Sequence, residues 1–382
     1  MKLLLLFTLL SFSLASKELK IYKFKVGAGD SQLILFPSGY SILIDAGEPT
    51  GAKGEAGVNG KYLAKRLYKI LGMKKVDVFV LTHYHWDHHG GYKVGGIWYL
   101  IEKAGFSFGK FIKRNIGSYN GEKLTDCNKN NIKWLYVGPM GNAEAKFVCY
   151  ATSSKDKTKL SKIGEHAKRC STSQIHPPDN GAEVKIIIRD ALGVKDEDGK
   201  KLARNSMKDE HPVAENDFSM CLRIQYGKFV YITCGDLSGY TKGLSTRTFI
   251  YHDIETSVAP MVGEVDLMHI NHHGTATSTN PTWCNTLKPT VAVSSCSDIG
   301  NGVAAKVLKN LKKVNAVIYT TGLAGKTKDN EDYKDVIRMN DDVVIKVPEN
   351  GKEFTVCDSK GKNKKTYKIK QNKAAPVKCH NL

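Results

Sequence analysis

The chain has 382 residues, 41% of them hydrophobic and 25% charged, which excludes a disordered or fibrous chain and supplies one large folded core or two. Lysine and arginine outnumber aspartate and glutamate by 57 to 38, a formal charge of +19, with the excess in 97–180 and in Lys352–Lys378. Such a field attracts polyanions, nucleic acid among them, although lysines that merely solubilise the protein account for it equally well.

Met1-Lys2, the apolar run Leu3 to Leu14 and the small residues Ala15 and Ser16 have the charge, length and cleavage pattern of a secretory signal peptide over residues 1–16. The run is well short of the ~20 apolar residues a membrane span needs, so the expected mature protein is secreted, extracellular and without a stable membrane anchor. Leu19–Lys25, VGAGDSQLILF and YSILIDAG, the last two joined by Pro37-Ser38-Gly39, read as a β-meander. Gly57–Leu71 places Tyr62, Leu63, Leu67, Ile70 and Leu71 on one face of a helix. Val76–Leu81 (VDVFVL) is a buried strand, and the turn LTHYHWDHHGG follows at once.

From about 97 to 180 the pattern degrades into Gly, Asn, Ser and Lys, which predicts an insertion on one rim of the core. Val184–Asp190 is a strand, and FSMCLRIQYGKFVYITCGD is a hairpin that turns at Tyr226-Gly227 and ends at Asp236. VDLMHINHHG (265–274) is another short strand ending in histidines. After it come a helix from Pro281 to Leu287, the strand TVAVSS, a helix over Val303–Leu311, and strands at Ala316–Thr320 and Val343–Val347. This order predicts a mixed α/β domain over 17–350 with two sheets packed face to face and helices outside, followed by a basic tail at 351–382. Nine cysteines in an exported chain make disulfides expected. Cys357 and Cys379, flanking the lysine-rich tail, are the expected bridge, and Cys221 and Cys234 are expected as buried thiols in apolar strands.

Three strand ends carry metal-ligand residues: His83, His85, Asp87 and His88 as H-x-H-x-D-H, Asp236 in T-C-G-D, and His272 and His273 in N-H-H-G. Imidazole nitrogen and carboxylate oxygen suit zinc, and the intervening residues let alternate side chains reach one pocket while Tyr84 and Trp86 point away. His166, His176, His211, His252 and His380 lack such a register and read as surface or loop residues. Gly105-Phe-Ser107-Phe-Gly109 matches G-x-S-x-G, but that elbow needs a strand before the serine and a helix ends there instead, so Ser107 is not expected to be a nucleophile.

In motif and order these positions resemble the metallo-β-lactamase superfamily. The elements N-D-F-S, T-C-G-D and D-x-x-x-x-x-H-H-G are similar to the extracellular hydrolase domain of bacterial DNA-uptake channel proteins and to choline-phosphate esterases of the same fold. The resemblance implies an αββα four-layer sandwich with one or two Zn2+ ions, His83 and His85 on the first, Asp87 and His88 on the second, and Asp236 bridging. It also implies catalytic roles for Asp87, Asp236 and His273, and a partner role for Asp45 behind the histidine turn. Where the family usually has a further histidine on the first metal, this chain has Asn216, beside Asp217, so Mn2+ is an alternative metal. Of His272 and His273, one is expected on metal and the other as a proton donor or a packed core histidine. The function implied is hydrolysis of a phosphodiester, possible nucleic-acid substrates included, by a zinc-activated hydroxide. A lactonase or carboxylic-ester hydrolase would share every ligand, and a non-catalytic secreted polyanion-binding protein would share the charge.

Overall fold

The computed structural model describes residues 18–47, 58–115, 142–152, 158–194, 213–245, 250–296, 302–322, 333–349 and 351–379. The expected signal segment, Cys127, His211 and His380 lie outside them. Among the described residues no helix is long and apolar enough to cross a membrane.

The meander forms as β1 (Glu18–Lys23), β2 (Ser31–Leu35) and β3 (Ser41–Ala46). Helix α1 (Val58–Leu71) crosses over to β4 (Lys75–Leu81), which pairs parallel to β3. The short α2 (Trp86–His89) and α3 (Gly96–Glu102) lead to β5 (Ser107–Lys113), and α4 (Asn142–Thr152) precedes β6 (Gly164–His166). The range 97–180 is therefore partly sheet, because β5 pairs parallel to β4, and β6 to β5. Within Ser107–Lys113 the residues Phe108, Phe111 and Ile112 are buried, a pattern the surrounding polar residues obscure.

The second sheet begins with β7 (Ala182–Ile188), β8 (Cys221–Tyr226) and β9 (Phe229–Thr233). A separate two-stranded ribbon, β10 (Gly239–Ser245) and β11 (Ile250–Asp253), leads into α5 (Ile254–Val262). Next come β12 (Leu267–His269), α6 (Pro281–Leu287), β13 (Val291–Ser294), α7 (Ala305–Lys313), β14 (Val317–Thr320) and β15 (Ile337–Arg338). The chain then returns to the first sheet as β16 (Val343–Pro348), β17 (Glu353–Cys357) and β18 (Lys365–Lys368). The nine-stranded order is β18-β17-β16-β1-β2-β3-β4-β5-β6, and the seven-stranded order is β15-β14-β13-β12-β9-β8-β7.

Period-2 alternation builds the layers. Ile42, Ile44, Val78 and Val80 face a central cluster shared with Leu222, Ile224, Tyr231 and Val293 of the other sheet. Their neighbours Leu43, Phe79 and Leu81 turn outward onto Leu63, Leu67, Ile97 and Leu100 of α1 and α3. On the far side Val230, Ile232 and Met268 pack on α5, α6 and α7 through Val258, Trp283 and Leu308. Three apolar interfaces between four layers make the αββα sandwich that the order of elements predicts.

The cysteines correct the expected pairing. Cys379 bonds to Cys170, which ties the last described residue to the stretch that hydrogen-bonds to Ile186 near the end of β7, while Cys357 is a buried thiol in β17. The tail is not a core-poor appendage, since β17 and β18 extend the first sheet and leave Cys379 beside the second. Cys221 and Cys234 form a disulfide across β8 and β9 rather than standing as thiols, their Cα atoms 4.0 Å apart. The hairpin register sets this proximity, which no spacing in the sequence reveals.

Candidate metal centre

The three ligand-bearing loops leave the carboxyl ends of β4, β9 and β12, and backbone bonds stitch them together. Met220 N–H donates to Thr82 O at 3.0 Å, joining the two sheets, and His272 N–H donates to Gly235 O at 3.1 Å. Gly235 has φ +55°, and a Cβ there would lie 2.4 Å from Thr82 Oγ1, so only glycine lets the β9 loop approach the β4 loop this closely. His272 and His273 both have left-handed backbones, φ 49° and 51°. Non-glycine residues hold that conformation where the surroundings impose it, and such strain gathers at functional sites.

The loops bring together His83, His85, Asp87, His88, Asp236, His272 and His273. Asp236 is central and almost fully buried. Its Oδ1 lies 3.1 Å from His88 Nε2 and 3.6 Å from His273 Nε2, and its Oδ2 lies 3.8 Å from His83 Nε2 and 3.7 Å from His272 Nε2. His273 Nε2 is 3.3 Å from Asp87 Oδ2. Two groups therefore share Asp236, one of His83, His85 and Asp236 and one of Asp87, His88, Asp236 and His273, with ligand atoms in each group within 4.8 Å of one another. Tetrahedral coordination at bond lengths of about 2.0–2.1 Å sets ligand atoms about 3.3 Å apart, which matches these separations. His83 Nε2, His88 Nε2, His273 Nε2 and Asp236 Oδ1 are buried and have no hydrogen-bond partner among the described residues. Buried polar atoms are ordinarily satisfied, so four that converge unsatisfied fit a cation between them. His83 and His88 form the floor, and Asp87, His272 and His273, at 24%, 18% and 16% exposed, form the mouth.

Electrostatics follow from burial and from the carboxylates. Burial pushes His83 well below the usual histidine range, with His88 and His85 adding to it, and pushes His85 down to about 4. Burial also lowers His272. Burial opposes charge on His88, but Asp236 and Asp45 on either side raise it well above the usual value. His273 is raised against burial by Asp236 and Asp87. Burial would raise Asp87, yet His273 and His88 hold it down to about 2, and Asp236 is held well below the carboxylate range by His88, His273 and His272.

Residues behind the centre fix these rings. Asp45 sits in a β-bulge, since Ser31 pairs with Ala46 and Gln32 with Ile44, and its φ is 58°. The bulge re-aims the side chain: Asp45 accepts from Thr82 N–H, from Thr82 Oγ1 and from His88 Nδ1, each at 2.8 Å. With Nδ1–H held there, His88 would offer Nε2 to a cation once the proton on that nitrogen has left.

Glu215 and Arg114, which the sequence did not single out, support the other side. Arg114 pairs through Nε (2.8 Å) and Nη2 with Glu215 and through Nη1 (3.1 Å) with Asp190, and Glu215 also accepts the backbone N–H of Tyr84 between His83 and His85. Glu255, raised by burial to about 7, accepts from Asn271 Nδ2, Thr279 N and Asn280 N and so pins the loop that bears His272. Beneath the centre, the buried Lys23 lies between Asp30 (2.6 Å) and His269 Nδ1 (2.8 Å). None of these has a recognisable spacing, because each pairs across elements.

Asn216 and Asp217 lie in a 3-10 turn ahead of β8. Asn216 reaches the centre, its Nδ2 3.1 Å from His272 Nε2, and its Oδ1 is buried and unpartnered among the described residues. Asp217 turns away: its Oδ2 accepts from His252 N (2.9 Å) and Nδ1 (2.8 Å). His252 is therefore not a loose surface residue but a member of β11 bolted to a fully buried carboxylate. Its neighbour Tyr251 stacks on His272, ring centroids 6.3 Å apart. Ser107 opens β5 far from this chemistry in the fold, exposed and donating to Lys74 O.

No curated protein matches the chain. Among solved structures it is similar to a Parabacteroides distasonis protein assigned as a metal-dependent hydrolase (11% identity, 78% of this chain, 91% of that chain, TM-score 0.39). It is also similar to unliganded yeast PDE1 (11%, 82% and 90%, TM-score 0.37) and to a diphosphatase of the PhnP family (10%, 87% and 98%, TM-score 0.36). Residues 25–102, the stretch that carries Asp45 and the whole H-x-H-x-D-H turn, match the family model of the metallo-beta-lactamase superfamily.

Proposed function

We propose that the chain is a secreted metal-dependent hydrolase that binds two divalent cations, zinc by ligand chemistry, and cleaves phosphodiesters, nucleic acid included. The observation that carries this reading is Asp236, whose two oxygens each face a separate His/Asp group. Three histidines, or histidine with carboxylate, are what zinc accepts, and the Asn216 amide beside His272 leaves room for manganese at the first position. When bound, the metals supply Lewis acidity and a water that ionises near neutral pH.

The chain's own residues do the rest. Asp45 orients His88, and Glu215 orients Tyr84 and so the histidines on either side of it. Asp87, ionised at neutral pH and at the mouth, accepts a hydrogen bond from the attacking water and orients it. His272 and His273, also at the mouth, face the incoming substrate. The surplus of positive charge favours an anionic ester over a neutral lactone.

Metal analysis of the purified protein, joined to a panel of bis(p-nitrophenyl) phosphate, DNA, RNA, lactones and a β-lactam, tests the proposal. Bound metal with phosphodiester turnover abolished by chelator and restored by Zn2+ or Mn2+ is the expected result. Hydrolysis of lactones with phosphodiesters untouched overturns the substrate class. Bound metal with no turnover but salt-sensitive DNA binding overturns the enzyme in favour of a polyanion-binding protein.

A further inference from the structure

Resting on that reading, we propose that Tyr251 is a catalytic residue whose phenol donates a hydrogen bond to a non-bridging oxygen of the phosphoryl group. Three observations carry this. The first is position: the ring lies against His272, centroids 6.3 Å apart and planes 25° apart, and His272 Nε2 is itself 3.7 Å from Asp236. The second is rigidity in the two residues that follow it. His252 is held by two bonds to the buried Asp217, and Asp253 caps α5 by accepting from Thr256 N (3.0 Å) while receiving Asn280 Nδ2 (2.9 Å).

The third is an uncommitted donor. The Tyr251 hydroxyl makes no hydrogen bond among the described residues, and the residue is half-buried rather than sealed in the core. Tyr84, inside the histidine turn, has an unpartnered hydroxyl too, but it is sealed in the core and no substrate can reach it.

A neutral donor held in place before substrate arrives stabilises charge on a phosphoryl oxygen without reorganisation. It serves an anionic, tetrahedral group better than a planar neutral carbonyl, because a hydrogen bond to a charged acceptor is the stronger one.

Tyr251→Phe keeps the ring on His272 and removes only the hydroxyl, so it is the deciding variant. In the metal-loaded full-length mature protein, kcat/KM for bis(p-nitrophenyl) phosphate is expected to fall about ten- to a hundred-fold. Calorimetry is expected to show phenylphosphonate binding weakened about ten-fold or more, while metal content and melting temperature match the wild type. Kinetics and phosphonate affinity both within about two-fold of the wild type overturn the proposal. So does a loss of activity that parallels a loss of bound metal, since the hydroxyl would then serve the site's integrity. If the wild type holds metal but cleaves no phosphodiester, the functional reading fails, and the phosphonate comparison still decides the role of Tyr251.

Discussion

Replacing Asp45 by asparagine changes one atom type in a buried network and is expected to disable one metal position selectively. Asp45 Oδ1 accepts Thr82 N–H, while Oδ2 accepts both Thr82 Oγ1 and His88 Nδ1 at 2.8 Å. Asparagine tolerates the left-handed backbone at φ 58°, so strain is not introduced. With its oxygen kept on Thr82 N–H, the new amide nitrogen faces His88 Nδ1. The imidazole then has to accept at Nδ1 and carry its proton on Nε2, the atom that lies 3.1 Å from Asp236 Oδ1. A protonated Nε2 has no lone pair for a cation. Loss of such a supporting bond costs about 10- to 100-fold in metal affinity, or roughly 1.4–2.7 kcal/mol.

Titration of metal-free Asp45→Asn with Zn2+ against a chromophoric chelator measures this directly. Of two equivalents, the one bound through Asp87, His88 and His273 is expected to weaken by that factor, and the one bound through His83 and His85 to change by less than about three-fold. Two equivalents at wild-type affinity would falsify the tautomer argument.

Three further expectations follow from the same interior. Arg114→Met leaves Glu215 buried without its cation, while Asp190 keeps Arg189, and is expected to cost about 3–5 kcal/mol in urea unfolding; a loss below about 0.5 kcal/mol contradicts the assignment of the Arg114–Glu215 pair as the support of the histidine turn. His88 and His273 have raised folded values, so their contribution to the metal-free fold is fully present below the unfolded pKa of about 6.5 and is lost as pH rises through the folded values. Metal binding near pH 7 must then expel their protons, and calorimetric heats that do not vary with buffer ionisation enthalpy count against protonated His88 and His273 in the metal-free protein. Cys379→Ser opens a loop of 209 residues, whose closure entropy sets an upper limit of about 5 kcal/mol on the stability lost. A urea midpoint unchanged from the wild type shows that the bridge does not hold the tail.

Much of the fold could be read from residue patterns because burial imposes them locally. Val78 and Val80 alternate with Phe79 and Leu81 in a strand covered on both faces, and the hairpin at Tyr226-Gly227 forms where the apolar runs break. Ser107–Lys113 was hidden as a sheet member because it lies in a stretch whose composition reads as loop, and only pairing with β4 reveals it. The residues singled out as ligands are brought to one place, since each ends a strand and the carboxyl ends of β4, β9 and β12 share one end of the sandwich.

What the sequence by itself determined was the kind of chemistry: closely spaced imidazoles and carboxylates at strand ends, and apolar periodicities that specify layers. The tertiary structure alone decided which oxygen of Asp236 faces which histidine, that Asp217 serves His252 while Asn216 reaches His272, and that Cys379 meets Cys170 and not Cys357. Periodicity and motif are properties of neighbours along the chain. A hydrogen bond or disulfide between residues 35 or 209 positions apart depends on how the layers close over one another, and no local spacing encodes that distance.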